Sequence, residues 1–335
     1  MKHSNVALFV PHNGCPHQCS FCNQREITGK AEQPNADDVK TAIETARKTL
    51  GENTKNAEIA FFGGSFTAID RKYMIELLSA AAPSVLSGEF YGIRISTRPD
   101  AIDNEILDIL SKYGVTAIEL GAQSMDDEVL LANHRGHTVQ DIVNASKLIK
   151  SHGFSLGLQM MTGLYKSSDE KDIITAEKIA ALEPETVRIY PTIVIKNTEL
   201  YRLYLEGKYR PEKLDEGVVL CARLLKFFDE KNINVIRLGL HDSDTLRENM
   251  IAGAYHPAFR ELCEGEIMYG NALDELKKLG IKSGNVEFFI NPKSVSRFIG
   301  QKRKNLERLE KNGITAIVRQ DSRLGKFQII CRCAI

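Results

Sequence analysis

Short apolar runs alternate with amphipathic helical stretches through most of the chain's first 190 residues, and this alternation narrows the fold more than any other feature. The runs are Val6–Val10, Glu58–Phe62, Gly92–Ser96, Thr116–Leu120, Phe154–Met160 and Thr186–Tyr190. Between them, stretches near Asp37–Leu50, Arg71–Ala82, Asp103–Lys112, Val139–Ser151 and Asp169–Leu182 carry apolar residues at helical spacing. Strand–helix units in succession predict an α/β fold whose parallel sheet carries its helices outside. Strands covered on both faces read as near-continuous apolar runs, as these do. A partial (β/α)6 TIM-type barrel is favoured over an open doubly wound sheet, because the unusual residues collect at strand C-terminal ends, where barrel sites lie.

After Tyr190 the pattern changes. Helices are expected at Thr198–Glu206 and Lys213–Lys231, a short strand at Asn234–Leu238, and a mostly helical stretch over Asp242–Leu279, broken at Gly253 and His256-Pro257. A different unit follows: strand-like Val286–Ile290, helix-like Ser294–Lys311, then strand-like Ala316–Arg319 and Gln328–Cys331. The expected organisation is a barrel over 1–240, a helical connection over 241–280 and a small basic α+β domain over 281–335.

Composition bounds the function. The 44 Lys and Arg balance 44 Asp and Glu, so the whole molecule exerts no net pull on nucleic acid and DNA is not an expected partner. Local basic patches remain open. The first residues lack the pattern of a secretory leader, and no apolar stretch approaches the about 20 residues that span a bilayer. With an odd seven cysteines, this points to a reducing cytoplasm.

Three of those cysteines form the chemical signature: Cys15, Cys19 and Cys22, spaced Cys-x3-Cys-x2-Cys just after the first strand. Three thiolates on one loop suit a [4Fe–4S] cluster with one iron left open for a ligand. The spacing also admits a zinc site completed by His17 or His12, or three unrelated buried cysteines. The second strand then opens into Gly63-Gly64-Ser65. Two glycines let backbone approach a ligand closely, and in a barrel this turn shares a rim with the cysteine loop.

Together these motifs resemble the radical S-adenosylmethionine (radical SAM) superfamily. The resemblance implies that Cys15, Cys19 and Cys22 ligate a [4Fe–4S] cluster whose open iron takes the amine and carboxylate of S-adenosylmethionine. It implies that Phe21 packs near adenine and that Gly63, Gly64 and Ser65 bind the methionine amine. A reductant such as flavodoxin or ferredoxin would be the electron donor.

Downstream motifs narrow the match: Ser96-Thr97-Arg98-Pro99-Asp100, Ile118 through Ser124, Asn133-His134-Arg135-Gly136-His137-Thr138, Leu158 through Leu164 and Ile189 through Tyr201. In this order they are similar to the radical SAM domain of the Elongator catalytic subunit, over roughly residues 5–210. By that resemblance Gln123, Ser124 and Arg135 help bind S-adenosylmethionine. Ser124 also reads as a helix cap ahead of Met125-Asp126-Asp127. Arg98 reads as a fork for a carboxylate or phosphate or as a partner of Asp100, and Arg135 and His137 flanking Gly136 as a loop contacting cofactor or substrate or as a solvated loop. Two departures stand out: the first two cysteines are closer than in the Elongator subunit, and only 95 residues follow Leu240, too few for an acetyltransferase domain.

Near the C-terminus, Tyr255-His256-Pro257 reads either as a closure of the barrel mouth or as a helix start with Pro257 in the first turn. Ser294 through Leu306 resembles the RNA-binding KH loop, Gly-x-x-Gly, with Arg303 in place of the second glycine. Seven basic residues against two acidic ones lie between Lys293 and Lys311. Lys302, Arg303 and Lys304 are therefore candidate RNA contacts, or simply a solvated helix face. Cys331 and Cys333 lack nearby partners for a second metal. The expected activity is radical SAM chemistry on RNA, a tRNA uridine above all. The alternatives are the same chemistry on a small molecule or porphyrin, and a zinc-containing RNA-binding protein without activity.

Overall fold

The computed structural model describes residues 4–11, 19–23 and 32–334. Seven parallel strands form one sheet in chain order: β1 (Ser4–Val10), β2 (Ala57–Gly63), β3 (Gly92–Thr97), β4 (Val115–Gln123), β5 (Ser155–Thr162), β6 (Thr186–Pro191) and, passing over the short β7 (Ile193–Ile195), β8 (Asn234–Leu238). Helices α1 (Ala36–Leu50), α2 (Arg71–Leu86), α3 (Asn104–Lys112), α4 (Asp127–Ala132), α5 (Val139–Ser151), α6 (Asp169–Ala181), α7 (Glu199–Leu205) and α8 (Leu214–Glu230) fill the connections. The sheet curls into a partial barrel, as the alternation predicts. It has one strand more than the six expected units, because β8 adds in parallel beside β6.

Side-chain polarity sets how these helices begin. Asn35, Asp103, Asp126, Thr138, Ser168 and Thr198 each cap a helix by accepting from a first-turn amide, which satisfies donors that the helix itself leaves open. The cap of α4 is Asp126, not Ser124 as the capping alternative had it.

The outer face of the sheet is apolar. Ile59, Phe61, Ile93, Ile95, Ile118, Leu120, Leu158 and Ile189 are fully buried against the helices. The inner face departs from the near-continuous apolar reading. Glu58, Arg94, Glu119, Gln159 and Arg188 alternate with those core residues and meet one another in the lumen. Arg94 donates to Glu58 (2.6 Å) and Glu119 (3.2 Å), Arg188 to Glu119 (2.8 Å), and Gln159 to Glu119 (3.0 Å). Gly157 makes room for this, since a Cβ there would stand 2.8 Å from the Glu119 side chain.

Beyond β8 come α9 (Asp244–Asn249), β9 (Met250–Gly253) and the long α10 (Phe259–Lys278). The stretch expected to be mostly helical thus contains a strand, because β9 finds an antiparallel partner in β7. Pro257 precedes α10 and is not in its first turn; the His256 ring accepts from the Ala258 amide (3.0 Å).

The C-terminal unit comprises β10 (Gly284–Ile290), α11 (Val295–Ile299), α12 (Lys304–Lys311), β11 (Ile314–Gln320) and β12 (Ile329–Cys333). Its sheet order is β11-β10-β12, with β10 parallel to β11 and antiparallel to β12. The single helix expected over Ser294–Lys311 is two, broken at Gly300. Helix α10 serves both cores: Phe259, Cys263 and Ile267 join the barrel core, while Met268, Ala272 and Leu276 close over Phe288, Phe298 and Leu309. Among the described residues no helix is long and apolar enough to cross a membrane.

Candidate active site

The turn after β2 is locked to the end of β1. The Gly64 amide donates to the Val10 carbonyl (2.8 Å). Gly63 has φ 119°, and a Cβ there would lie 2.5 Å from that same carbonyl oxygen. No side chain fits, so glycine is required on steric as well as torsional grounds. Ser65 is buried and its hydroxyl pairs with Thr97 (2.9 Å) and accepts from the Arg98 amide (3.1 Å). Thr97 in turn pairs with Thr67 (2.6 Å). The β2 and β3 rim turns are thus fastened to each other.

Cys15, His12 and His17 lie outside the described residues. Cys19 and Cys22 are half-buried, and the Cys22 amide closes a turn onto the Cys19 carbonyl (3.1 Å). Between them Ser20 is fully buried and triply held. Its hydroxyl donates to the Asn133 side chain (2.7 Å), its amide donates to the Asn133 carbonyl (3.2 Å), and its carbonyl accepts from Leu200 (2.7 Å) in the first turn of α7. Phe21 packs into two apolar clusters, one with Met161, Leu164 and Tyr190 and the other with Leu200 and Tyr165.

The Arg135 guanidinium reaches this loop, donating to Cys19 Sγ (3.0 Å) and to the Gly121 carbonyl (2.8 Å). Arg98 pairs with Asp100, as the plain alternative had it, and its other nitrogen donates to the Arg135 carbonyl (2.9 Å). The solvated alternative fails for the two side chains of this loop: Arg135 is 9% exposed and His137 5%, with Gly136 exposed between them. Burial, and then the adjacent Arg135 charge, lower the His137 pKa to about 4, so the imidazole is neutral at pH 7.

Among the described residues, three buried polar atoms here have no protein partner: Gln123 Oε1, Arg135 Nε and His137 Nδ1. Gln123 adopts φ 66° where the β4–β5 register shifts. A Cβ on Gly121 would crowd both Gln123 Nε2 (3.0 Å) and Arg135 Nη2 (3.4 Å). A thiol pair, a backbone turn stripped of side chains, a buried cation and orphaned polar atoms suit a ligand that brings its own carboxylate, amine and sulfur. The residues present therefore fit a cluster and its S-adenosylmethionine. Ser124 stands apart, its hydroxyl close to Thr175 (3.4 Å) and accepting from the Asp126 amide (3.3 Å).

Asn133 was missed in the sequence reading, although it stands in a quoted motif; it carries no charge and its role emerges only when Ser20 folds against it. Glu119 lies within a quoted motif, but nothing local marks its arginine partners Arg94 and Arg188. Also unforeseen is an acid pair behind the β5 rim, Asp172 buried and Glu212 half-buried. Asp172 accepts from the Gly163 amide (2.8 Å) and Ser167 (2.6 Å). Burial pushes it up to about 7; burial and then the Asp172 charge push Glu212 up to about 7 as well. Lys302, Arg303 and Lys304 sit on the C-terminal unit, exposed, with Lys304 paired to Asp215 (3.0 Å).

Comparison with known proteins agrees with this geometry. A model of the radical SAM superfamily matches residues 9–179 and one of the radical SAM C-terminal domain matches residues 184–269. The human Elongator complex protein 3 is 30% identical over 259 residues, covering 71% of this chain and 45% of its own. A tRNA uridine(34) acetyltransferase from Methanocaldococcus jannaschii is 28% identical over 257 residues, covering 65% of this chain and 47% of its own. This chain thus spans about half the length of these two curated relatives. Among solved structures, the archaeal Elp3 of Methanocaldococcus infernus superposes with a TM-score of 0.61 at 22% identity, over 83% of this chain and 63% of that one. That likeness bears on fold. From the rim turns, the thiol loop and the match over more than half of its length, the chain belongs to the radical SAM superfamily and is a homologue of the Elongator and tRNA uridine(34) acetyltransferase proteins.

Proposed function

We propose that this protein is a radical SAM enzyme that modifies RNA, with a tRNA uridine as its substrate class. Cys15, Cys19 and Cys22 would hold a [4Fe–4S] cluster, and the cluster with S-adenosylmethionine would supply the 5′-deoxyadenosyl radical that takes a substrate hydrogen. The chain's own residues bind and orient. The Gly63-Gly64-Ser65 turn offers backbone to the methionine amine; the Ser65 hydroxyl is already committed to Thr97. Arg135 supplies the cation for the carboxylate, and Gln123 Oε1 an acceptor that the protein leaves open. Phe21 and the apolar groups around it keep water from the reacting centre. Ser124 would act through its place at the end of β4, since its hydroxyl is spent on Asp126.

The observation that carries this reading is the Arg135–Cys19 contact at 3.0 Å beside orphaned polar atoms. The kinship with tRNA uridine(34) acetyltransferases supports the substrate class. The test is nucleoside mass spectrometry of tRNA from a strain lacking the gene. Loss of one modified uridine, restored by the wild-type gene and not by C19A, is the expected result. An unchanged nucleoside profile would move the chemistry to a small molecule or porphyrin. A zinc-only preparation without iron or sulfide would leave the non-enzymatic alternative.

A further inference from the structure

The C-terminal unit presents a turn that the barrel chemistry does not use. Gly300-Gln301-Lys302-Arg303 joins α11 to α12, two short helices set between the parallel strands β10 and β11. Gly300 has φ 76° and ψ 160°, and a Cβ there would meet the Asn305 side chain at 3.0 Å. Lys302 (φ 52°, ψ 31°) and Arg303 (φ 66°, ψ 16°) follow, both left-handed and neither a glycine. Successive strained residues persist only where the surroundings hold them. Here the Arg303 amide donates to the Gly300 carbonyl (3.0 Å), and buried Asn305 donates to the Gly265 carbonyl of α10 (2.8 Å). The strained turn pushes both cations outward.

Three neighbouring cations are spent. Arg297 pairs with Glu264, Arg308 with Glu266 and Lys304 with Asp215. Among the described residues, Lys302 and Arg303 make no ion pair and are exposed. Position strengthens the case. Asp215 lies in the first turn of α8, a helix that runs back to the start of β8. That places its N-terminus on the rim side of the barrel. Glu212, just ahead of it, lies against Gly163 beyond the end of β5. The turn therefore stands on the same side of the molecule as the cysteine loop. Beside it opens a cavity of about 390 Å³ whose wall is apolar at Leu214, Val218 and Val219 and takes Gly300, Gln301 and Lys304 from the turn; its carboxylates Asp215 and Glu266 are paired with Lys304 and Arg308, and Glu261 is a third. A cationic clamp next to a partly apolar groove fits a phosphodiester backbone with unstacked bases.

We propose that the Gly300–Lys304 turn clamps the backbone of single-stranded RNA and aligns it with the barrel mouth. Lys302 and Arg303 contact successive phosphates, and the neighbouring groove takes a base. The proposal rests on the RNA-directed reading above but fails separately from it. The probe is a labelled 12-nucleotide oligouridylate titrated with the full chain, followed by fluorescence anisotropy across salt concentrations. K302A/R303A is expected to bind about 10-fold or more weakly, with a salt slope smaller by about 1.4, near 0.7 for each lost phosphate contact. K231A, at the far end of α8, keeps the wild-type affinity. R303G guards against misfolding, because glycine takes the left-handed conformation freely; it should keep its thermal midpoint and lose about 0.7 of the slope. Equal affinities of wild type, K302A/R303A and R303G would overturn the clamp, as would wild type failing to bind the oligonucleotide. Formation of 5′-deoxyadenosine by the wild-type protein is read independently, so a failed clamp and a failed enzyme assignment are told apart.

Discussion

Arg135 is the side chain on which the candidate site turns. It is buried, it reaches the Cys19 sulfur at 3.0 Å, and its Nε has no partner among the described residues. A charge-assisted hydrogen bond to a buried carboxylate contributes about 1.5–3 kcal/mol. R135A in anaerobically reconstituted protein should therefore weaken S-adenosylmethionine binding about 10- to 100-fold by equilibrium dialysis; unchanged binding would remove Arg135 from the site. Gly63 carries the matching prediction for the backbone. Its φ of 119° and the 2.5 Å approach to the Val10 carbonyl leave G63A no accommodating shift within the β1–β2 register. G63A should lower thermal stability by about 1–3 kcal/mol and lose cofactor binding in the same preparation. Retained stability with retained binding would contradict the reading of this turn. These two residues were legible in the sequence because short-range motifs mark them. Asn133 and Thr97 were not, since their partners Ser20 and Thr67 stand far away in the chain and no local spacing announces the contact.

At the scale of elements, the strands were legible as apolar runs and their lumen was not. Alternation places Glu58, Arg94, Glu119, Gln159 and Arg188 inside the curl, yet each polar residue interrupts an apolar run only once. Glu119 binds both arginines, so E119A leaves Arg188 without its carboxylate and Arg94 with Glu58 alone. Breaking such a network costs about 3–5 kcal/mol, and calorimetry should show a midpoint lower by about 6 °C or more. The acid pair behind β5 makes a prediction of opposite sign. Unfolded carboxyls titrate near about 4, whereas Asp172 and Glu212 hold their protons up to about 7. Between those values the folded chain binds more protons than the unfolded one, so stability falls as pH rises through that window. E212Q should melt a few degrees above wild type at about pH 8 and together with it at about pH 5, a difference on the order of 1–2 kcal/mol. Parallel melting curves at both pH values would contradict the acid pair. The missed strand β9 and the split of α11 from α12 have a common cause. A four-residue strand exists only through its partner β7, and a helix break at Gly300 is set by Asn305 packing.

At the scale of the whole molecule, one partial barrel carries the thiol loop and the rim turns, and α10 joins it to a small basic unit through a shared core. The barrel class was legible because repeated strand–helix units admit few other arrangements. The seventh strand, β8, was foreseen as a strand but not as a member of that sheet, because a five-residue run does not show which sheet it joins. If the proposed function holds, this rim generates a radical from S-adenosylmethionine. The most direct test is the 5′-deoxyadenosine released by anaerobically reconstituted, dithionite-reduced protein, quantified by liquid chromatography and mass spectrometry. Accumulation is expected with wild type and none above background with C19A or C22A. Equal amounts from wild type and both variants, or no product from wild-type protein loaded with iron and sulfide, would contradict that function.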